Sequence, residues 1–171
     1  MTQRLKLGLL GCGDVAQRDY LPELHRLQDR VELVAVCGRS EARARAVAEQ
    51  YGVDAWFTDY RLMLERGEAE AILNLTPIQL HAETTLACLE AGKHVYSEKP
   101  AATTVADAAR LREVANDRSV VLVCAPSILL YPQIQEARRL LERQVIGSVH
   151  SAVGQAFGGV PPWSGYTSDP S

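Results

Sequence analysis

Leu5-Lys6-Leu7-Gly8-Leu9-Leu10-Gly11-Cys12-Gly13-Asp14-Val15-Ala16, residues 5–16, runs from a short apolar segment through a glycine turn into a helical pattern. Each residue type in the turn has a distinct physical use. Gly11 makes the tight turn after the strand, and Gly13 lets backbone approach a pyrophosphate with no Cβ in the way. Ala16 permits close packing of helix on strand. The amides of the helix opening at Asp14, with Val15 next, then face the phosphates of a bound dinucleotide. A glycine turn alone is a weak signal; one that follows a strand, opens a helix and begins a β-α-β unit is a stronger one.

The rest of the chain repeats that alternation. Leu5–Leu10, Glu32–Cys37, Ala69–Leu75, His94–Ser97 and Val120–Cys124 are the strand candidates. Helical periodicity fills Val15–Leu27, Glu41–Tyr51, Pro77–Ala91 and Val105–Asn116, the last with Val105, Ala108, Leu111 and Ala115 on one face. Thr76 suits an N-cap with Pro77 at the first helical position, and Thr104 with Asp107 is a further capping pattern. The expected fold is α/β, a Rossmann-type doubly wound parallel sheet. Ala125-Pro126-Ser127 breaks the rhythm, so the first domain is expected over residues 1–124. Residues 125–171 read as the beginning of an incomplete α+β domain, with a helix over Tyr131–Arg143 and an alternating strand over Val149–Phe157. The segment from Gly158 has no periodicity, and the chain reads as cut short.

A net charge of -3, with no basic block among 18 Lys and Arg, gives no footprint for nucleic acid or an anionic membrane. A small-molecule partner is expected. Cys12, Cys37, Cys88 and Cys124 are widely spaced with no C-x-x-C pair, which points to thiols in a reducing cytoplasm and to no metal site. Met1-Thr2-Gln3-Arg4 leads at once into the first strand, with neither a signal-peptide core nor a membrane span.

At the end of the second strand, where an acidic residue would accept hydrogen bonds from an adenosine ribose 2′-hydroxyl, the chain has Gly38-Arg39-Ser40. The Arg39 guanidinium and the Ser40 hydroxyl can hold a 2′-phosphate, with Arg43 as support, so NADP is favoured and NAD is the other candidate. Ser40 can also cap the helix that begins at Glu41, and the two roles are compatible.

A second constellation comprises Asn74-Leu75-Thr76-Pro77, then His81, then Ala91-Gly92-Lys93-His94-Val95-Tyr96-Ser97-Glu98-Lys99-Pro100. Taken with the turn at Gly11, this string resembles the Gfo/Idh/MocA family over about residues 5 to 124. The resemblance implies that Lys99 lies beside the nicotinamide and the reacting hydroxyl. There an ammonium can hydrogen-bond the substrate oxygen and, by like-charge repulsion, lower the pKa of a neighbouring acid-base group. It implies that Glu98 sits by the nicotinamide ribose and that a cis peptide precedes Pro100. His81 reads equally as a cofactor-side contact or as a satisfied core histidine.

The implied activity is hydride transfer to or from a carbinol carbon of a sugar, cyclitol or related polyol. Two alternatives stay open: a non-enzymatic dinucleotide sensor of the same fold, and a glycosidase that retains NAD as an internal redox catalyst. The family's second domain supplies an aspartate-plus-histidine motif and, commonly, the surface of a homo-oligomer. Residues 1–171 stop before that motif, and His150 lies too early to belong to it. Where relatives carry Asn or His and then Arg to line the substrate pocket, this chain has Ala125-Pro126-Ser127-Ile128-Leu129-Leu130-Tyr131-Pro132, which puts a simple aldose or inositol in doubt.

Overall fold

The structure is a computed structural model and describes residues 3–155. Six parallel strands form one sheet in the order β3-β2-β1-β4-β5-β6: β1 is Leu5–Leu10, β2 Val31–Cys37, β3 Ala55–Phe57, β4 Ala71–Asn74, β5 His94–Ser97 and β6 Leu122–Cys124. The order reverses between β1 and β4, which is where an open α/β sheet forms its ligand crevice. Helices α1 (Leu21–His25), α2 (Glu41–Tyr51), α3 (Tyr60–Arg66), α4 (His81–Glu90) and α5 (Val105–Asp117) connect these strands. β3 is an addition to the strands expected from sequence. Ala-Trp-Phe is too short to show periodicity, and as an edge strand it pairs only with Ala35, Val36 and Cys37 of β2.

Strand side chains alternate between two cores, as a sheet covered on both faces requires. Leu7, Leu9, Val36 and Leu73 join Ala16, Leu21, Ala44 and Val47 on one face. Leu10, Cys37, Ile72 and Val95 join Met63, Leu89, Leu111 and Val114 on the other. Burying an aliphatic side chain of this kind stabilises by about 1.5–3 kcal/mol.

Three helix readings need correction. The helix expected over Val15–Leu27 opens at Asp14 but widens into a π-turn over Ala16–Tyr20, where the Leu21 amide reaches back to the Ala16 carbonyl, before α1 resumes. Pro22 accounts for this, since it has no amide for the Arg18 carbonyl and its ring would press on that carbonyl in an α-helix. The helix expected from Pro77 begins as a 3₁₀ turn over Ile78–Leu80 and becomes α4 only at His81. Thr76 is therefore not its N-cap: its hydroxyl donates to Asn74 Oδ1 at 2.8 Å, and Pro77 precedes the first turn. In α5 the buried stripe is Leu111, Val114 and Ala115, whereas Val105 and Ala108 face solvent. The caps expected at α2 and α5 are present: the Ser40 and Thr104 hydroxyls accept the amides of Arg43 and Asp107.

The chain divides into two compact units, residues 1–125 and 126–171. Within the second, a 3₁₀ turn over Ser127–Leu130 leads into α6, Pro132–Glu142, with the Gln135 amide donating to the Leu129 carbonyl. Residues 149–155 form no strand, contrary to the alternation read there, and His150 lies in irregular backbone. The segment from Gly158 lies outside the described residues. No helix among the described residues is long and apolar enough to cross a membrane.

Candidate cofactor site

The strand ends lie level. Leu10 is in register with Cys37 and Asn74, Asn74 with Ser97, and Ser97 with Cys124. The next residue along each strand therefore emerges at one edge: Gly11, Gly38, Leu75, Glu98 and Ala125. Every sequence-predicted site residue but His81 sits in a loop or helix start that leaves this edge, and His81 begins α4 just behind it.

Gly11 adopts φ +106°, and a Cβ built there would lie 2.4 Å from the Leu75 carbonyl oxygen, so only glycine fits the turn. Its amide donates to the Cys37 carbonyl at 2.8 Å. A Cβ on Gly13, by contrast, would meet no atom within 4 Å: the space beside that backbone is open. The Gln17 amide bonds the Gly13 carbonyl at 3.2 Å, so the helix opens directly after the glycine turn. Ala16 is fully buried against the sheet. Beneath the turn the Cys12 thiol donates to the Cys37 carbonyl at 3.4 Å, and burial pushes it up to about 11. Arg39 and Ser40 are exposed at the end of β2, and no carboxylate occupies residues 38–40.

The Asn74 side chain organises the β4 end from a wholly buried position. Its amide donates to Thr84 Oγ1 and Thr85 Oγ1, both at 2.9 Å, and its Oδ1 accepts the Thr76 hydroxyl and the Thr76 amide. Pro77 is exposed just beyond. His81 is 2% exposed, with Nδ1 at 2.6 Å from the Pro100 carbonyl oxygen and Nε2 at 2.7 Å from that of Thr76. Of its two readings the structure gives the satisfied core histidine: both nitrogens face backbone, and the ring joins the β4 loop to the loop after β5. Among the described residues no buried side-chain nitrogen or oxygen lacks a partner.

The loop after β5 carries Glu98, Lys99 and a cis Lys99–Pro100 bond. The Glu98 amide donates to the Asn74 carbonyl at 2.9 Å, tying the loop to β4. One carboxylate oxygen, Oε2, accepts the Lys99 amide at 2.8 Å; the other, Oε1, accepts the Tyr20 hydroxyl at 2.6 Å. Lys99 itself is exposed, and its ammonium has no ion pair among the described residues. Tyr20 is the residue the sequence reading missed. Its ring meets Tyr96 edge-on at 6.1 Å, and burial, then the Glu98 carboxylate, push its phenol far above the ordinary value. A tyrosine inside a helical pattern carries no sequence signal of such a bond, because its partner lies 78 residues away.

These groups fit a dinucleotide. Open backbone beside Gly13 at a helix opening suits a diphosphate, the remaining acceptor capacity of Glu98 suits ribose hydroxyls, and an exposed ammonium stands at the tip of the next strand but one from the turn. No cluster of His, Cys, Asp and Glu able to hold a metal occurs among the described residues.

Comparison with known proteins agrees. The family described as oxidoreductase family, NAD-binding Rossmann fold, matches residues 5–125. A dTDP-3,4-didehydro-2,6-dideoxy-alpha-D-glucose 3-reductase of Streptomyces violaceoruber is 37% identical over 163 residues, 95% of this chain and 46% of that protein. D-glucoside 3-dehydrogenase of Escherichia coli (strain K12) is 30% identical over 165 residues, 95% of this chain and 47% of its own length. Among solved structures, KijD10, a 3-ketoreductase from Actinomadura kijaniata in complex with NADP and TDP-benzene, superposes with a TM-score of 0.75 at 34% identity, covering 84% of this chain and 43% of that one. The WlbA dehydrogenase from Bordetella pertussis, in complex with NADH and UDP-GlcNAcA, gives 0.80 at 28% identity, covering 85% and 44%. The chain thus spans about half the length of the curated relatives it matches, and it belongs to the Gfo/Idh/MocA oxidoreductase family through that family's NAD-binding Rossmann domain.

Proposed function

We propose that this chain is the dinucleotide-binding portion of a cytoplasmic, NADP(H)-dependent oxidoreductase that transfers hydride to or from a ring carbon of a sugar, cyclitol or related polyol. The observation that carries the reading is the level strand edge, on which the glycine turn after β1 and Lys99 after β5 flank β4, with the helix that follows the turn tied to the Lys99 loop by the Tyr20–Glu98 hydrogen bond. The dinucleotide, when bound, supplies the hydride chemistry. Gly11, Gly13, Asp14, Val15 and Ala16 seat its diphosphate at the helix opening, and Arg39 with Ser40 receives the 2′-phosphate. Ser40 caps α2 through a lone pair at 3.4 Å, which leaves its own proton for a phosphate oxygen. Thr76 and Pro77 border the crevice at the β4 end, Glu98 accepts from the nicotinamide ribose, and His81 holds the two loops together from beneath.

Lys99 is the catalytic residue within this portion. Its ammonium donates a hydrogen bond to the substrate oxygen and stabilises negative charge as that oxygen gains it during reduction. The relatives' reactions on sugar 3-positions support a ring keto or hydroxyl group as the target, and a nucleotide-linked sugar is the narrower substrate class. A homo-oligomer of the whole protein belongs to the same reading.

Calorimetric titration of the chain with NADPH and with NADH tests the proposal. Binding of NADPH in preference to NADH is the expected result. Absence of heat with either nucleotide overturns it.

A further inference from the structure

We infer that Tyr20 is a positioning residue for the nicotinamide half of the dinucleotide, acting through Glu98. The inference rests on the reading above that Glu98 receives the nicotinamide ribose. Tyr20 closes the π-turn that follows the diphosphate loop, whereas Glu98 lies on the loop that presents Lys99, so their bond at 2.6 Å crosses between the two working segments of the site. Pro22 is part of the cause, because the widened turn it imposes ends at Tyr20 and sets where that side chain leaves the helix.

The bond is built as a fixed support. The Tyr20 ring is part-buried and rests edge-on against Tyr96 of β5, at 69° between ring planes. Burial keeps the phenol protonated through the working pH range, so toward the carboxylate it acts only as a donor. Glu98 is then held at both oxygens, by the phenol at Oε1 and by the Lys99 amide at Oε2. A carboxylate has about four acceptor positions, and two remain for ribose hydroxyls. A free glutamate would lose its rotamer freedom only as the ligand arrives, which weakens binding; here that freedom is already gone. Because the same carboxylate holds the Lys99 backbone, Tyr20 also bears on where the ammonium stands.

The test is a double-mutant cycle read with a whole and a half ligand. NADPH and 2′,5′-ADP, which carries the adenosine half and its phosphate but no nicotinamide ribose, are titrated into the parent chain, Tyr20→Phe, Glu98→Ala and the double variant. Tyr20→Phe keeps the ring against Tyr96 and removes the hydroxyl, which donates to Glu98 and also neighbours the Tyr96 hydroxyl. It is expected to weaken NADPH about tenfold, the usual weight of a hydrogen bond to a charged group, while 2′,5′-ADP changes less than about twofold. The double variant is expected to bind NADPH no more weakly than Glu98→Ala alone, since the phenol then has nothing to hold. Unchanged NADPH affinity in Tyr20→Phe, equal losses of both ligands, or additive losses in the double variant would each overturn the inference while the dinucleotide reading stands. A parent chain that binds neither NADPH nor NADH overturns both.

Discussion

Two glycines two residues apart should respond to alanine in opposite ways. At Gly11 the new methyl would sit 2.4 Å from the Leu75 carbonyl oxygen, 2.6 Å from its carbon and 3.0 Å from the Thr76 nitrogen, on a backbone held at φ +106°. Neither neighbour can yield easily: the Leu75 amide bonds the Leu10 carbonyl at 2.7 Å, and the Thr76 amide bonds Asn74 Oδ1 at 3.2 Å. Backbone strain of about 1–3 kcal/mol and overpacking of about 1–3 kcal/mol together approach the whole stability of a marginal domain. Gly11→Ala should therefore lower the melting temperature by roughly 6–30 °C, given about 3–5 °C per kcal/mol at this size. At Gly13 the methyl meets nothing within 4 Å and the backbone is not left-handed, so stability should move by less than about 1 kcal/mol. If a diphosphate lies against that backbone, the methyl occupies its place and NADPH affinity should fall at least about tenfold, or 1.4 kcal/mol. Scanning calorimetry without ligand and isothermal titration with NADPH separate the two effects. A Gly13→Ala chain that binds as the parent does would refute the placement of the diphosphate, and a Gly11→Ala chain that melts with the parent would refute the steric account of the turn.

Arg39→Asp should reverse the preference between NADPH and NADH, since it puts a carboxylate where a 2′-phosphate would lie; unaltered relative affinities in paired titrations would remove Arg39 as the discriminating group. His81→Ala removes the ring that spans the Thr76 and Pro100 carbonyls, with the hydrogen bond it donates, and leaves a buried void, so it should cost about 2–5 kcal/mol in a urea titration. A loss under about 1 kcal/mol would mean that the ring is not what joins the two loops. Stability should also fall in alkali. Burial raises the thiols of Cys12, Cys37 and Cys88 from 9.0 to about 11, 12 and 12, so the folded chain retains protons that the unfolded chain releases. Their contribution is complete below pH 9 and is lost as pH rises through the folded values, by roughly 1.4 kcal/mol per pH unit for each thiol. Urea midpoints at pH 8, 9, 10 and 11 measure it, and a flat profile above pH 9 would contradict the burial of these groups.

Local signals in this sequence fixed local structure well and long-range pairing poorly, for a physical reason that particular residues show. Gly11, Gly13 and Ala16 are constrained by contacts within one strand-turn-helix unit, so their spacing carries the whole message. Ser40 and Thr104 act on amides three residues away, and both are legible. Thr76 looks the same in sequence, yet its hydroxyl is drawn to Asn74, whose amide is in turn drawn to Thr84 and Thr85 from the next helix. A tertiary network here outcompeted a local cap. The mislaid stripe of α5 has a similar origin: Leu111, Val114 and Ala115 are buried because α4 packs against the helix and Val95 of β5 shares their cluster, while Val105 in the first turn is 87% exposed.

The same contrast explains why the site depends on sheet register more than on any one motif. Glu98 and Lys99 follow β5, and the Glu98 amide reaches the Asn74 carbonyl only because Asn74 and Ser97 are paired. Successive strand residues face opposite sides, so a slip of one residue between β4 and β5 would turn Glu98 away from Tyr20 and move Lys99 off the edge above β4. What resists the slip is buried: Ile72 and Val95 are paired in that register within the core, and Ser97 is wholly enclosed. Substitutions that shorten Ile72 or Val95 should therefore disturb nicotinamide placement before they abolish binding of the adenosine half, even though neither side chain reaches the ligand edge.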